Sequence, residues 1–203
     1  KYMKKKLKVL GISVLSLILV LIIGIGMIFK GEIRTLISFK QLNEHPFYEM
    51  TYHADYNLDE FLINGAATDN ELVSFVTKQI LKGVSFDVNP DGACSTFIAT
   101  NLEDENLFGR NFDYVHSIGL IVRTQPKNGY KSISLVNLNH LGLSLENMPT
   151  KNLINRIVTL AAPYAPLDGM NEKGLAIGVL VIQDGKMGRL PHKVCIIGGK
   201  PVH

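Results

Sequence analysis

Between Val9 and Phe29 the chain carries no charged side chain, and this run restricts the possible folds more than any other stretch. As a helix it matches the roughly 30 Å hydrocarbon core of a bilayer at about 1.5 Å per residue. Lys4, Lys5, Lys6 and Lys8 precede it. A secretory signal would have a shorter apolar core and a small-residue cleavage site, and no A-x-A comes after Phe29. Residues 1–30 are therefore expected to be a cytoplasmic basic tail and a single-pass anchor in the cell membrane, with Met3 a plausible start. Secretion after signal cleavage is the alternative. Lysines stay on the cytoplasmic side, so everything after Lys30 is expected outside the cell. Gly24 and Gly26 are spaced as GxG rather than GxxxG and predict no helix pair.

The remainder of the chain is long enough for one domain, in a sequence of 203 residues of which 46% are hydrophobic. The net charge of +3 is accounted for by seven lysines and arginines among the first 34 residues, which leaves no basic face for nucleic acid. Two cysteines, Cys94 and Cys195, cannot build a disulfide framework and are read as free thiols. His45 and His53 lack metal-ligand spacing, Gly198-Gly199-Lys200 lacks the flanks of a phosphate loop, and no cofactor is expected.

Leu36, Phe39 and Leu42, then Leu72, Phe75, Val76 and Ile80, recur at helical spacing. Thr68 or Asp69 can cap the second helix and Gly83 close it. Leu120 to Thr124 and Ser132 to Asn137 read as strands, and Asn152 to Ala162 as a helix ended by Pro163. Tyr164 to Gly169 is expected to be a loop, Gly174 to Gln183 a strand, and Asp184-Gly185 a hairpin turn. Periodicity alone says mixed α and β.

The stretch with chemistry in it runs from Asp91 to Tyr114, DGACSTFIATNLEDENLFGRNFDY. Cys94 to Thr100 is β-branched and aromatic, Asn101 to Asn106 polar and acidic, and the apolar pattern resumes at Leu107, which predicts a hairpin. A fold-back near Glu103 sets Cys94 opposite the neighbourhood of Phe112. Arg110 and Asp113 then come within reach of it, because opposed and diagonal partners stand about 5 to 8 Å apart. A guanidinium favours the nucleophilic thiolate. His116 is the nearest histidine, and no Cys-His signature surrounds it. A cut between Ala93 and Cys94 would supply another base, an α-amino group of pKa about 7.7 to 8 that could take the thiol proton, with Asp113 as its anchor. The arrangement makes one geometric demand. Arg110 and Asp113 are three positions apart, so an ideal strand would turn them to opposite faces, and the strand must end or bulge near Asn111 for both to meet Cys94. Taken alone, a cysteine at a strand start is usually a small buried apolar residue.

Cys94-Ser95-Thr96-Phe97-Ile98-Ala99, followed by Phe108-Gly109-Arg110-Asn111-Phe112-Asp113-Tyr114, resembles the N-terminal-nucleophile (Ntn) hydrolases of the choloylglycine hydrolase, or linear amide C–N hydrolase, family. That group includes bile salt hydrolases, penicillin V acylases and acid ceramidase-like amidases. In it an arginine and an aspartate follow the nucleophile at the spacing at which Arg110 and Asp113 follow Cys94. Asp168-Gly169-Met170-Asn171-Glu172-Lys173-Gly174-Leu175 resembles the family segment whose asparagine, here Asn171, contributes to the oxyanion hole. The resemblance covers about Gly92 to Asp184 and leaves out the N-terminal third.

The resemblance implies an α+β fold, the four-layer αββα sandwich, here incomplete at the C-terminus because Cys94 to His203 is about half the family's catalytic part. It implies a helical pro-segment or α-chain at 31–93 and the first part of a catalytic domain at 94–203. The implied activity is hydrolysis of a non-peptide C–N amide, with a small acyl amide as partner and a thioester intermediate. Cys94 would be the nucleophile, Arg110 the thiolate's counter-charge, Asp113 the holder of the α-ammonium and Asn171 an oxyanion donor, with autoproteolysis before Cys94 as the activating step. A second chain or oligomer could complete the sandwich. The alternative is a membrane-anchored, truncated, non-catalytic remnant or binding module of the same fold.

Overall fold

Tyr48 and Met50, Leu120 and Val122, and Val136 fall at alternate positions of short β-branched or aromatic segments, so each segment has one side that must leave water. In the computed structural model, which describes residues 2–86, 93–113 and 117–180 (backbone alone at 2–5, 7–9, 93 and 94), these segments are the middle of a six-stranded sheet. The elements in chain order are α1 (Tyr2–Ile28), α2 (Lys30–Ser38), β1 (Lys40–Gln41), β2 (Phe47–Thr51), α3 (Leu58–Asn64) and α4 (Asp69–Phe75), the last running into a π-helical turn at Val76–Ile80. They continue with β3 (Ala93–Thr100), β4 (Asn106–Asp113), β5 (Gly119–Thr124), β6 (Ser132–Asn137), α5 (Leu153–Val158), β7 (Pro166–Asn171) and β8 (Ala176–Gly178). Segments of 3₁₀ helix follow β6 at Leu138–Leu141 and α5 at Thr159–Tyr164.

The large sheet runs β1-β2-β5-β6-β7-β8, and β3 pairs only with β4. β2 and β5 are parallel, from Phe47↔Gly119 to Thr51↔Arg123, and the other neighbours are antiparallel. One face of the sheet is packed under helices. There Tyr48, Met50, Leu120, Val122 and Val136 are buried together with Leu72, Val76, Leu160 and Ala161. Tyr56, Phe61, Phe75 and Tyr164 meet edge-on or tilted at ring distances of 5.1 to 6.0 Å, the favourable aromatic geometry. The Tyr52 hydroxyl donates to the Leu160 carbonyl at 2.9 Å and that of Tyr164 to the Tyr56 carbonyl. Burial, the leading cause, raises the pKa of both phenols.

α2 lies against β2 and runs the opposite way. Gly31 is the closest point, since a Cβ there would stand 2.7 Å from the Ala54 Cα. The buried Thr35 hydroxyl accepts the His53 and Ala54 backbone N–H groups at 2.8 and 3.3 Å and donates to the Gly31 carbonyl. Ser38 accepts the Thr51 N–H at 3.0 Å and donates to its carbonyl. These bonds replace water for backbone groups that no strand neighbour reaches. α1 and α2 meet at Phe29, which is not helical (φ −97°, ψ 21°): its N–H closes α1 on the Ile25 carbonyl, and its carbonyl accepts the Ile33 N–H at the start of α2. Leu10–Ile28 is long and apolar enough to cross a membrane or to serve as a signal sequence, and none of it is buried against the domain. Inside it the Ser16 hydroxyl donates to the Ile12 carbonyl at 2.9 Å, so that polar group is satisfied within the helix.

Several expectations are met: the strands at Leu120–Thr124 and Ser132–Asn137, and the N-cap at Thr68, which accepts the Glu71 N–H at 3.2 Å. Others are corrected. Residues 31–86 are not a helical segment set apart, because β1 and β2 from this stretch are strands of the main sheet. Phe39 and Leu42 do not extend a helix with Leu36, because the chain turns extended at Phe39 to start β1. Tyr164 to Gly169 is not a loop: Pro166 opens β7, a position where its missing N–H costs no ladder bond, and the strand pairs with β6. The expected turn at Asp184-Gly185 and Cys195 lie outside the described residues.

Replacing Thr35 by Val should cost about 1–3 kcal/mol, because two partly buried N–H groups lose their acceptor while the volume is kept. Gly31→Ala should destabilise by a similar amount through overpacking, about 1–3 kcal/mol. Gly11→Ala, with nothing within 4 Å of the added methyl, should not. Denaturant unfolding of the detergent-solubilised chain measures all three, and equal stability for Gly31→Ala and Gly11→Ala would contradict the docking of α2.

Candidate functional site

The β3–β4 hairpin is closed by Asn101. Its side-chain oxygen accepts the Glu103 and Glu105 N–H groups at 3.0 and 2.8 Å, while Asp104 takes the left-handed conformation at φ 64°. An Asx turn of this kind fixes the register. Pairing then runs without a shift from Thr100↔Asn106 to Ala93↔Asp113, and Cys94 stands opposite Phe112 as the turn position predicts. The exposed Phe97 ring lies over Gly109, 2.2 Å from where a Cβ would sit.

An unshifted register gives the hairpin two distinct faces. Phe108, Arg110 and Phe112 turn toward the large sheet, with Thr96 opposite Arg110 and the position of Cys94 next in the same alternation. At Gly178 a Cβ would meet Phe108 at 3.1 Å and the Arg110 Cδ and Thr96 Cγ2 at 3.5 Å, so this glycine lets the hairpin settle on β8. The Phe112 ring stands edge-on to buried His140 at 5.9 Å, just beyond the C-terminal end of β6. The outward face carries Ser95, Phe97, Asn111 and Asp113, all exposed.

Arg110 has only 4% of its side chain exposed. Its Nη1 donates to Asp168 Oδ2 at 3.2 Å and its Nη2 to the Val179 carbonyl, with the Phe112 ring 5.5 Å from the guanidinium carbon. Burial pushes the Asp168 carboxyl above its usual range, against the pull of Arg110 the other way. Asp168 is the residue that sequence reasoning left without a role. The available signal was that it is the one charged residue between Thr159 and Asn171, as Arg110 is between Leu107 and Phe112. Isolated opposite charges on two apolar strands are candidates for each other.

Asp113 faces the other way. It is exposed, and its Oδ1 accepts from the Asn111 side-chain amide at 2.7 Å. β4 has no bulge near Asn111, so the gathering of Arg110 and Asp113 around one sulfur is not what the structure presents. By register Asp113 is opposite Ala93, beside the bond that precedes Cys94. Asn171, at the end of β7, accepts the Lys173 and Leu175 N–H groups at 2.9 and 3.1 Å and so builds the β7–β8 turn. It lies three residues, about 10 Å, along the strand from Asp168. It lines a cavity of about 270 Å³ with Tyr56, Ser134, Gly169 and Ile177. Ser134 pairs with buried Val122 on the helix-covered side of the sheet, and the cavity's lining also includes Asp168 and Val179, the two residues that Arg110 bonds. Sequence-predicted residues are thus only partly brought together: Arg110 stands diagonal to position 94, while Asp113 and Asn171 face elsewhere.

Comparison with family models, with curated proteins and with solved structures finds no match. The class that the fold defines is a mixed α and β domain behind an apolar N-terminal helix.

Asp168→Ala should destabilise the chain by about 3 kcal/mol, because it leaves the buried guanidinium without its anion. A loss well under about 1 kcal/mol in denaturant unfolding would mean that water reaches Arg110. In the native chain the Asp168 proton is held more tightly than in the unfolded chain, whose aspartates titrate near 3.9. Its own contribution to stability is therefore full below that value and is lost as pH rises through the higher native pKa. A carbon-13 titration that placed Asp168 below the ordinary aspartate value of about 3.9 would contradict this.

Proposed function

We propose that the chain is a cysteine-nucleophile hydrolase of non-peptide C–N amide bonds, of the N-terminal-nucleophile type, held in the cell membrane by α1 with its domain outside. The observation that carries this is the hairpin register: Cys94 opposite Phe112 and diagonal to a buried guanidinium, with Asp113 opposite the residue before Cys94. Helices on one face of the large sheet and the β3–β4 hairpin on the other are consistent with three layers of an αββα sandwich, the hairpin being the start of its second sheet.

In this mechanism the Cys94 thiolate attacks the amide carbonyl, its proton having passed to the α-amino group freed by cleavage after Ala93. The amine leaves with that proton, and water resolves the thioester to a carboxylic acid. Arg110 already spends Nη1 and Nη2 on Asp168 and Val179, so its part is to lower the thiol pKa through its field rather than to grip substrate. Asp113 would hold the α-ammonium after a change of rotamer away from Asn111. Asn171 serves the β7–β8 turn, and an oxyanion role for it requires that turn to open. The outward Asp113 and the distant Asn171 favour the second reading, a non-catalytic binding module of the same ancestry.

Intact mass separates the two. The hydrolase should break between Ala93 and Cys94, with Cys94→Ala remaining whole, and should release amine from at least one of a bile salt conjugate, penicillin V or an N-acyl ethanolamide. A chain that stays whole at neutral and mildly acidic pH and turns over none of them is the binding module.

A further inference from the structure

The end of the sheet from which α1 departs is fixed by α2. Gly31 packs at Ala54, Thr35 bonds at His53, Ser38 bonds at Thr51 and Lys40 pairs with Glu49, so α2 runs antiparallel to β2. The helix preceding it therefore leaves beyond the C-terminal end of β2. β5 ends at this same edge because it is parallel to β2, β6 begins here, and β7 ends here, with Ser132 paired to Asn171. Two connections consequently stand around the exit of α1, residues 125–131 and 172–175.

Those connections carry Lys127, Tyr130, Lys131 and Lys173, all exposed, with 56% of Tyr130 accessible and the Lys173 ammonium 5.6 Å from its ring centre. Among the described residues none of these lysines is in an ion pair with a carboxylate. Three carboxylates at the same end accept hydrogen bonds from neutral donors, and Glu32 stands on α2 between Lys30 and Arg34. Asp55 accepts the Asn57 N–H, Asp59 the Asn128 amide, and Glu172 the Lys131 N–H. On α2, Lys30 and Arg34 are exposed beside accessible Ile33 and Ile37. Tyrosine sits at headgroup level on either side of a bilayer, and lysines beside it are drawn to whatever anionic lipid that leaflet carries.

We propose that this end of the domain rests on the anionic headgroup surface of the bilayer that α1 crosses, through Lys127, Tyr130, Lys131 and Lys173. This rests on α1 being an uncleaved anchor. The strands then stand along the membrane normal. Cys94 and its partner Phe112, beside His140 at the opposite end of β6, are held about a strand's length, roughly 20 Å, from the lipid. The substrate class that this position suits is a water-soluble amide rather than one still embedded in the bilayer.

The chain contains no tryptophan, so Tyr130→Trp gives a single emitter. The full-length variant is reconstituted in phosphatidylcholine vesicles with and without phosphatidylglycerol, containing lipid brominated near the headgroup end of its acyl chains. Quenching of at least twofold with phosphatidylglycerol, lost when Lys127, Lys131 and Lys173 are changed to Glu, is the expected result. Leu145→Trp, on the exposed loop beyond the opposite end of β6, should stay unquenched. An integral chain whose Tyr130→Trp emission is no more quenched than that of Leu145→Trp overturns the proposal and leaves the anchor intact. Extraction of the chain from the vesicles by alkaline carbonate overturns the anchor and the proposal together.

Discussion

The hairpin and the six-stranded sheet are joined through the Arg110 guanidinium, and the geometry of the site follows from where that charge is held. The apolar contacts between them, Phe108 and Thr96 on Gly178 and Phe112 on His140, are not directional. A planar fork that must meet Asp168 on one arm and the Val179 carbonyl on the other is. Sliding β4 by one residue would bring Gly109 or Asn111 to Asp168 and turn the arginine into water, so the ion pair sets the hairpin's place on the sheet. Burial of the pair is costly in itself, which makes it a device for position more than for stability. The same engagement limits its chemistry. Two donors are spent on structure, and what reaches position 94 is the field of a fixed positive charge.

Local chemistry made the hairpin readable in the sequence. Its arms are β-branched and aromatic, and its turn opens with an asparagine that can bond its own backbone, so the register could be counted from the turn outward. β5 and β6 were readable for the same reason. β2 was not, because its five residues are ambiguous alone and its parallel partner begins at Gly119, far along the chain. β7 was misread because Pro163, Pro166 and Gly169 look like punctuation. In the fold Pro166 takes the first strand position, and at Gly169 a Cβ would stand 3.0 Å from the Ile133 carbonyl. For the site, strand alternation already stated the difficulty with Arg110 and Asp113. The turn bonds of Asn171 and the link to Asp168 are tertiary facts that no spacing carries.

The other tie, between α2 and β2, sits at the opposite end of the same sheet. Thr35 and Ser38 together satisfy four backbone groups of residues 51–54, so α2 cannot swing without exposing them. α1 ends one residue short of α2, with non-helical Phe29 as the joint between them. The start of α2, and with it the point from which α1 departs, is fixed at this end of the sheet.

The break before Cys94 that the proposed hydrolase requires would leave α1 on the N-terminal piece and residue 94 on the other, so the two pieces would have to stay together without a peptide bond. β2 lies inside the sheet, paired with β5 over five residues, and Tyr48, Met50, Tyr52, Tyr56, Phe61, Leu72 and Val76 all come from the first piece and are buried against the second. Each such side chain contributes about 1.5–3 kcal/mol, whereas removing one chain connection changes a closure entropy that grows by about 0.6 kcal/mol per doubling of loop length. Burial therefore wins over the lost bond. Cleavage would free the amino group at residue 94 without freeing the domain from α1, and the interleaving of the two pieces in one sheet is the reason.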